Sequence, residues 1–111
     1  MKYLLILVAL LLVALPASAQ GTHSVVLTWT ASVDGGAVTV YRAPGACSAS
    51  SVFASVTTGV TANTYTDSAI SVGTYCYQIT TVVNGTESLP SNQATARILP
   101  SAPTALVATP K

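Results

Sequence analysis

From Ser24 to Thr30 the chain alternates, with Val25, Leu27 and Trp29 on one face, Ser24, Thr28 and Thr30 on the other, and Val26 the one misfit. A period of two is that of a pleated strand with one side buried. The pattern returns over Ala37–Arg42, where Val38 and Val40 take the core side. It is longest over Thr74–Val82, where Tyr75, Tyr77, Ile79 and Thr81 share one face and Cys76, Gln78 and Thr80 the other. Ser51–Thr57, with Val52, Phe53 and Val56, reads as a less regular strand at a sheet edge, and Asn63–Asp67 as a brief one. Asn92–Leu99 places Ala94, Ala96 and Ile98 inward, with Pro90 opposing regular pairing just before it. Asp34-Gly35-Gly36 and Pro44-Gly45 are turn signals. Asn84-Gly85 specifies a two-residue type I′ hairpin, because both residues tolerate positive φ. Beyond the first residues, no segment longer than about eight residues carries the apolar stripe of an amphipathic helix. The prediction is an all-β sandwich or barrel of short strands.

The N-terminus follows a different rule. Lys2 precedes twelve apolar residues, Leu4 to Leu15, and then Pro16-Ala17-Ser18-Ala19. That is the pattern of a secretory signal peptide, too short for the roughly 20 residues of a membrane-spanning helix. Cleavage is expected after Ala19, and the first cysteine, Cys47, lies too far on for a lipid anchor at the new N-terminus. The reading is a secreted, extracellular chain that does not span the membrane, with residues 1–19 as leader, 20–99 as one domain and 100–111 as linker and tail.

Composition narrows the partners. After the leader, Arg42, Arg97 and Lys111 balance Asp34, Asp67 and Glu87. Nucleic acid is excluded as an expected partner, since no basic stripe exists to displace counterions. The polar content is mainly Thr, Ser, Asn and Gln, with many Val and Thr residues that suit strands.

Several segments together resemble a known family. Leu27-Thr28-Trp29, Tyr65-Thr66-Asp67, Ile70 with Gly73-Thr74-Tyr75, Tyr77 with Ile79, and Glu87 to Asn92 (ESLPSN) are similar, in order and spacing, to the strand B, E, F and G hallmarks of fibronectin type III domains of secreted bacterial proteins. The resemblance covers about residues 23–99 and implies an immunoglobulin-like two-sheet sandwich. It implies a core of Leu27, Trp29, Val40, Tyr65, Tyr75, Tyr77 and Ile79, with Tyr75 or Tyr77 bracing the E–F corner. Val38 stands where the family usually has an aromatic residue. Only Gln20 to His23 precede strand B, so the first strand, A, is expected to be lacking. Pro100 to Thr109 looks like the linker and strand A that open such a domain, with Pro103, Leu106 and Val107 as the strand-donor segment. Three roles stay open for it: the start of a second module, a strand folded back in cis, or a strand given to the next molecule.

Cys47 and Cys76 are the only cysteines, and in an exported chain a disulfide is the default. The family's antiparallel C and F strands bring the two close. His23 is expected to be an exposed residue, and Asp34, Asp67 and Glu87 fall at turns or strand ends where capping contacts are ordinary. No residues stand at the spacing of a metal site, a nucleophile with its base, or a glycosidase pair, so no catalysis, metal or cofactor is expected. Asn84-Gly85-Thr86 also satisfies the glycosylation pattern, though the hairpin turn is the favoured reading. The outward face is expected to carry Thr39, Tyr41, Gln78, Thr80, Gln93, Thr95 and Arg97, a solvated sheet or a binding surface. The expected function is a non-catalytic extracellular binding or spacer module of a repeat array or assembly. The alternatives are a filament subunit joined head to tail by its C-terminal strand and, ranked lower, a carbohydrate-binding accessory module using Tyr41. The partners are accordingly other protein modules, copies of itself, or a polysaccharide.

Overall fold

A computed structural model describes residues 22–111; the leader expected over residues 1–19 lies outside them. Seven strands follow in order: β1 (His23–Thr28), β2 (Ala37–Pro44), β3 (Ala54–Val60), β4 (Thr64–Ile70), β5 (Gly73–Val83), β6 (Thr86–Glu87) and β7 (Ala94–Ile98). The described residues contain no helix. β1 and β4 make a two-stranded antiparallel sheet. The other five strands form a second sheet in the order β3-β2-β5, with β6 and β7 both on the far side of β5. The arrangement is all-β and of sandwich type, the apolar faces of the two sheets meeting in one core.

That core follows from the alternation. Val38, Val40 and Tyr77 are buried at its centre. Leu27 and Trp29 from the β1 side and Tyr65 from β4 pack against them, together with Tyr75, Ile79 and Ala96 of the larger sheet. Complete burial of an aliphatic chain such as Val40 stabilises the fold by roughly 1.5–3 kcal/mol. Trp29 sits one residue beyond β1, where its backbone N–H still donates to the Asn63 carbonyl at 3.1 Å.

Turn chemistry fixes the register. Asn84 and Gly85 take φ of 49° and 79°, and Val83 pairs Thr86 across a two-residue hairpin. At Gly36, φ is 93° and a Cβ would lie 2.5 Å from the Val82 carbonyl oxygen, so only glycine lets β2 start beside β5.

Three placements differ from the sequence reading. The edge strand β3 begins at Ala54, and Val52 lies outside it, 77% exposed. Its pairing with β2 starts at Arg42↔Ala54, because the chain between Gly45 and Phe53 crosses the outer face as a loop. Asp67 is not at a strand end: β4 runs on to Ile70, and Asp67 is buried within it. Ala94, expected inward, is exposed because it borders an open flank of the sandwich. Beyond Ile98 the chain forms no strand, and residues 99–111 are exposed throughout.

Candidate functional site

The open flank is set by how β1 pairs. The Trp29 N–H and the Leu27 carbonyl both face β4, the latter accepting from the Thr64 hydroxyl at 3.0 Å. Backbone groups alternate sides along a strand, so those of Val26 and Thr28 face the other way. Among the described residues no strand pairs with that edge. Beside it lies a groove of about 370 Å³ running under β1 to β5 and the approach to β7, lined by Leu27, Trp29, Tyr77, Ile79, Asn92 and Ala94 among others. Its lining carries no charged side chain. Trp29 also brings a buried indole Nε1–H that has no acceptor among the described residues. Buried donors are normally paired, which makes this one notable.

The strand-donor segment stands clear of the groove. Pro103 is exposed, Leu106 is 96% exposed and Val107 77% exposed. Isolated exposed apolar residues are ordinary, but two adjacent ones on an unpaired tail are surface that a partner can cover.

The remaining chemistry-bearing groups are engaged in the fold. Asp67 of β4 bridges the two sheets: its Oδ2 accepts from Arg42 Nη1 and from the Tyr77 hydroxyl, each at 2.6 Å. The Arg42 guanidinium also sits 5.7 Å from the centre of the Tyr75 ring. Sequence reasoning assigned Asp67 a capping role and missed this triad. The available signal was one arginine and one tyrosine that alternation places on the core side of their strands, where each needs a polar partner. Tyr75 and Tyr77 divide the bracing between them, since the Tyr75 hydroxyl donates to the Ser71 carbonyl at 2.9 Å and Tyr77 holds Asp67.

On the outer face, the Thr80 hydroxyl donates to Glu87 Oε2 at 2.6 Å, and the Tyr41 hydroxyl donates to the same oxygen. Thr80 was expected to be exposed and is instead buried, as is Thr39. Both lie on interior strands of the larger sheet, and the Tyr41–Glu87 contact closes over Thr80. Tyr41 and Gln78 are half-buried, while Gln93, Thr95 and Arg97 on the β7 side are exposed. Hydrogen bonds from Thr80 and Tyr41 hold the Glu87 carboxyl below its usual range. The bond to Glu87 in turn raises the Tyr41 phenol.

Cys47 and Cys76 are at bonding distance, S–S 2.07 Å. Cys76 is fully buried although its side chain is on the outer face, because the loop carrying Cys47 is drawn across it, with the Cys47 N–H donating to Thr95 Oγ1 at 3.3 Å. His23, expected to be exposed, is half-buried at the start of β1, where it pairs Ile70. The described residues contain no group of three or more His, Cys, Asp or Glu side chains able to hold a metal ion.

Burial and the Asp67 bond, in that order, push the Tyr77 phenol well above the ordinary tyrosine range, and Tyr41 is raised too. A phenol with a raised folded pKa contributes stability that is whole below its unfolded value of about 10 and is lost as pH rises through the folded one. The urea midpoint is therefore expected to fall between about pH 10 and 12, and Tyr77→Phe to flatten much of that fall. A midpoint equally steep in the variant would contradict this account. Comparison with protein-family models and with curated proteins finds no match to this chain, so the functional reading rests on this geometry.

Proposed function

We propose that the chain is a non-catalytic extracellular module of the fibronectin type III kind, one that binds or spaces other modules as part of an array or assembly. The observation that carries this reading is the β1 edge, which no strand among the described residues pairs, with its groove, beside an exposed apolar tail. An unpaired edge over a core is a costly surface for an isolated domain and a ready one for addition of a strand. The pairing order supports the family reading: β1 with β4, β2 between β3 and β5, and β7 on β5 suit strands B and E, C between C′ and F, and G on F. The Tyr75 bond to Ser71 suits the family's corner tyrosine. Secretion is favoured by the disulfide, which persists in oxidising compartments.

A second reading, a filament subunit joined head to tail, is favoured by the tail lying away from its own domain. The test is light scattering and electron microscopy of the chain purified from a secreting host, with and without residues 100–111. Concentration-dependent association of the full chain is expected. A full chain that stays monomeric and is instead retained on insoluble polysaccharide would overturn the assembly reading.

A further inference from the structure

We propose that the groove beside β1 accepts one defined ligand: residues Pro103–Thr109 of a second copy of this chain, laid antiparallel along Val26 and Thr28 with Leu106 seated against Trp29. The inference rests on the assembly reading above and specifies the surface, the occupant and its direction.

The backbone defines the first requirement. Val26 and Thr28 each present an N–H and a carbonyl to the open side, the pattern that an added strand completes. The groove under them is uncharged and partly apolar, so the occupant must be an extended, uncharged segment with an apolar face. Thr104 to Thr109 meets this requirement, because in a strand Leu106 and Ala108 fall on one face and the segment holds no charge. Ala105 now has φ of 59°, uncommon for a residue with a Cβ, and joining a strand returns it to extended backbone.

Direction separates the copies. Ile98 pairs Gly73, three residues after Ile70, which itself pairs His23. The tail therefore leaves the sandwich at the end where β1 begins. A strand antiparallel to β1, the slightly more stable pairing, has to enter at the opposite end, by Thr28. Five residues carry the chain from Ile98 to Pro103, a reach of at most about 17 Å. β1 is six residues long, about 17 Å from end to end, and it lies in the other layer, about 10 Å away. Pro103 thus falls short of the Thr28 end of its own domain. In a second copy stacked end to end the entrance lies next to the exit, and repeating the contact gives an open chain rather than a closed pair.

The test separates donor from acceptor. In L106D the donor is spoiled at a residue that is 96% exposed, so the fold is not burdened. In V26P the acceptor loses an outward N–H at an edge position, where proline is tolerated. Each variant alone is expected to need a protein concentration about tenfold or more above wild type to associate. Mixed, they are expected to form one-to-one dimers that do not lengthen, with slowed amide exchange at Val26 and Thr28 of the L106D copy and a blue shift in Trp29 emission. If V26P does not fold, a synthetic peptide of residues 101–109 replaces it as donor to L106D, with the same readouts. Association of both variants at wild-type concentrations would overturn the groove assignment while leaving the assembly reading intact. A monomeric wild type with slow exchange at Val26 and Thr28 would place the tail in its own domain and overturn the trans contact. A monomeric wild type with fast exchange there, and no change on adding the peptide, would overturn both.

Discussion

Replacing Cys47 and Cys76 together by alanine is expected to lower the unfolding free energy by about 3–4 kcal/mol, the cost of releasing a loop of this length in the unfolded chain. The two cysteines are 29 residues apart in sequence and their Cα atoms 4.9 Å apart in the fold. Against the roughly 5–15 kcal/mol typical of a whole domain, that is a large share. A native-state effect adds to it. Apart from the disulfide, the hydrogen bonds that tie the loop from Gly45 to Phe53 to the strands are the Cys47 N–H to Thr95 and the Gly45 N–H to the Thr74 carbonyl at 2.8 Å. Freed, it uncovers Ala43 and Cys76, both fully buried on the outer face. Serine in place of both cysteines is expected to cost more than alanine, since a hydroxyl at position 76 enters a site with no exposure. Guanidinium unfolding of wild type with and without reductant, beside the double-alanine variant, reads these differences directly. A loss under about 1 kcal/mol would mean that the unfolded chain holds residual structure around this loop.

The parts of this fold that were legible from sequence were those in which one physical requirement acted alone. Val25, Leu27 and Trp29, or Val38 and Val40, alternate because one face meets the core, and the structure packs all five in or against one cluster. Asn84-Gly85 was legible because almost no other pair accepts positive φ twice. Thr80 was misread because alternation gives the side of a sheet and not what lies over it; its burial depends on Tyr41 and Glu87, 39 residues and 7 residues away in the chain. The start of β3 was misplaced for a similar reason. Val52 and Phe53 have strand-like composition, but the cysteine link commits the preceding chain to crossing the outer face. The groove beside β1 was not legible from alternation. The groove needs three distant segments, β1, the middle of β5 and the approach to β7, and Trp29 gave no sign in sequence that its indole N–H would be left unpaired.

Asp67 read in the sequence as an ordinary strand-end carboxylate, and its removal is expected to be the other large loss. Its side chain is 5% exposed and holds one group from each of two strands of the opposite sheet, Arg42 of β2 and Tyr77 of β5. Asp67→Ala therefore breaks two inter-sheet bonds and leaves a guanidinium and a phenol beside the core without their acceptor. Losing one partner of a buried ion pair typically costs 3–5 kcal/mol. The Arg42 side chain is 34% exposed and recovers part of its hydration, which sets the expected loss at about 3 kcal/mol, the lower end. Asp67→Asn keeps an amide oxygen for both donors, since both bond Oδ2, but loses the charge, and is expected to lose about 1–2 kcal/mol. The deciding variant replaces the triad as a unit, with Arg42→Met, Asp67→Leu and Tyr77→Phe together. If the penalty of the single change is that of stranded polar groups, the triple variant is expected to regain most of the stability lost in Asp67→Ala, as apolar packing replaces the network. If the triple variant is no more stable than Asp67→Ala, the bridge itself holds the two-stranded sheet onto the larger one, and urea unfolding with Trp29 emission as the probe of that interface distinguishes the two results.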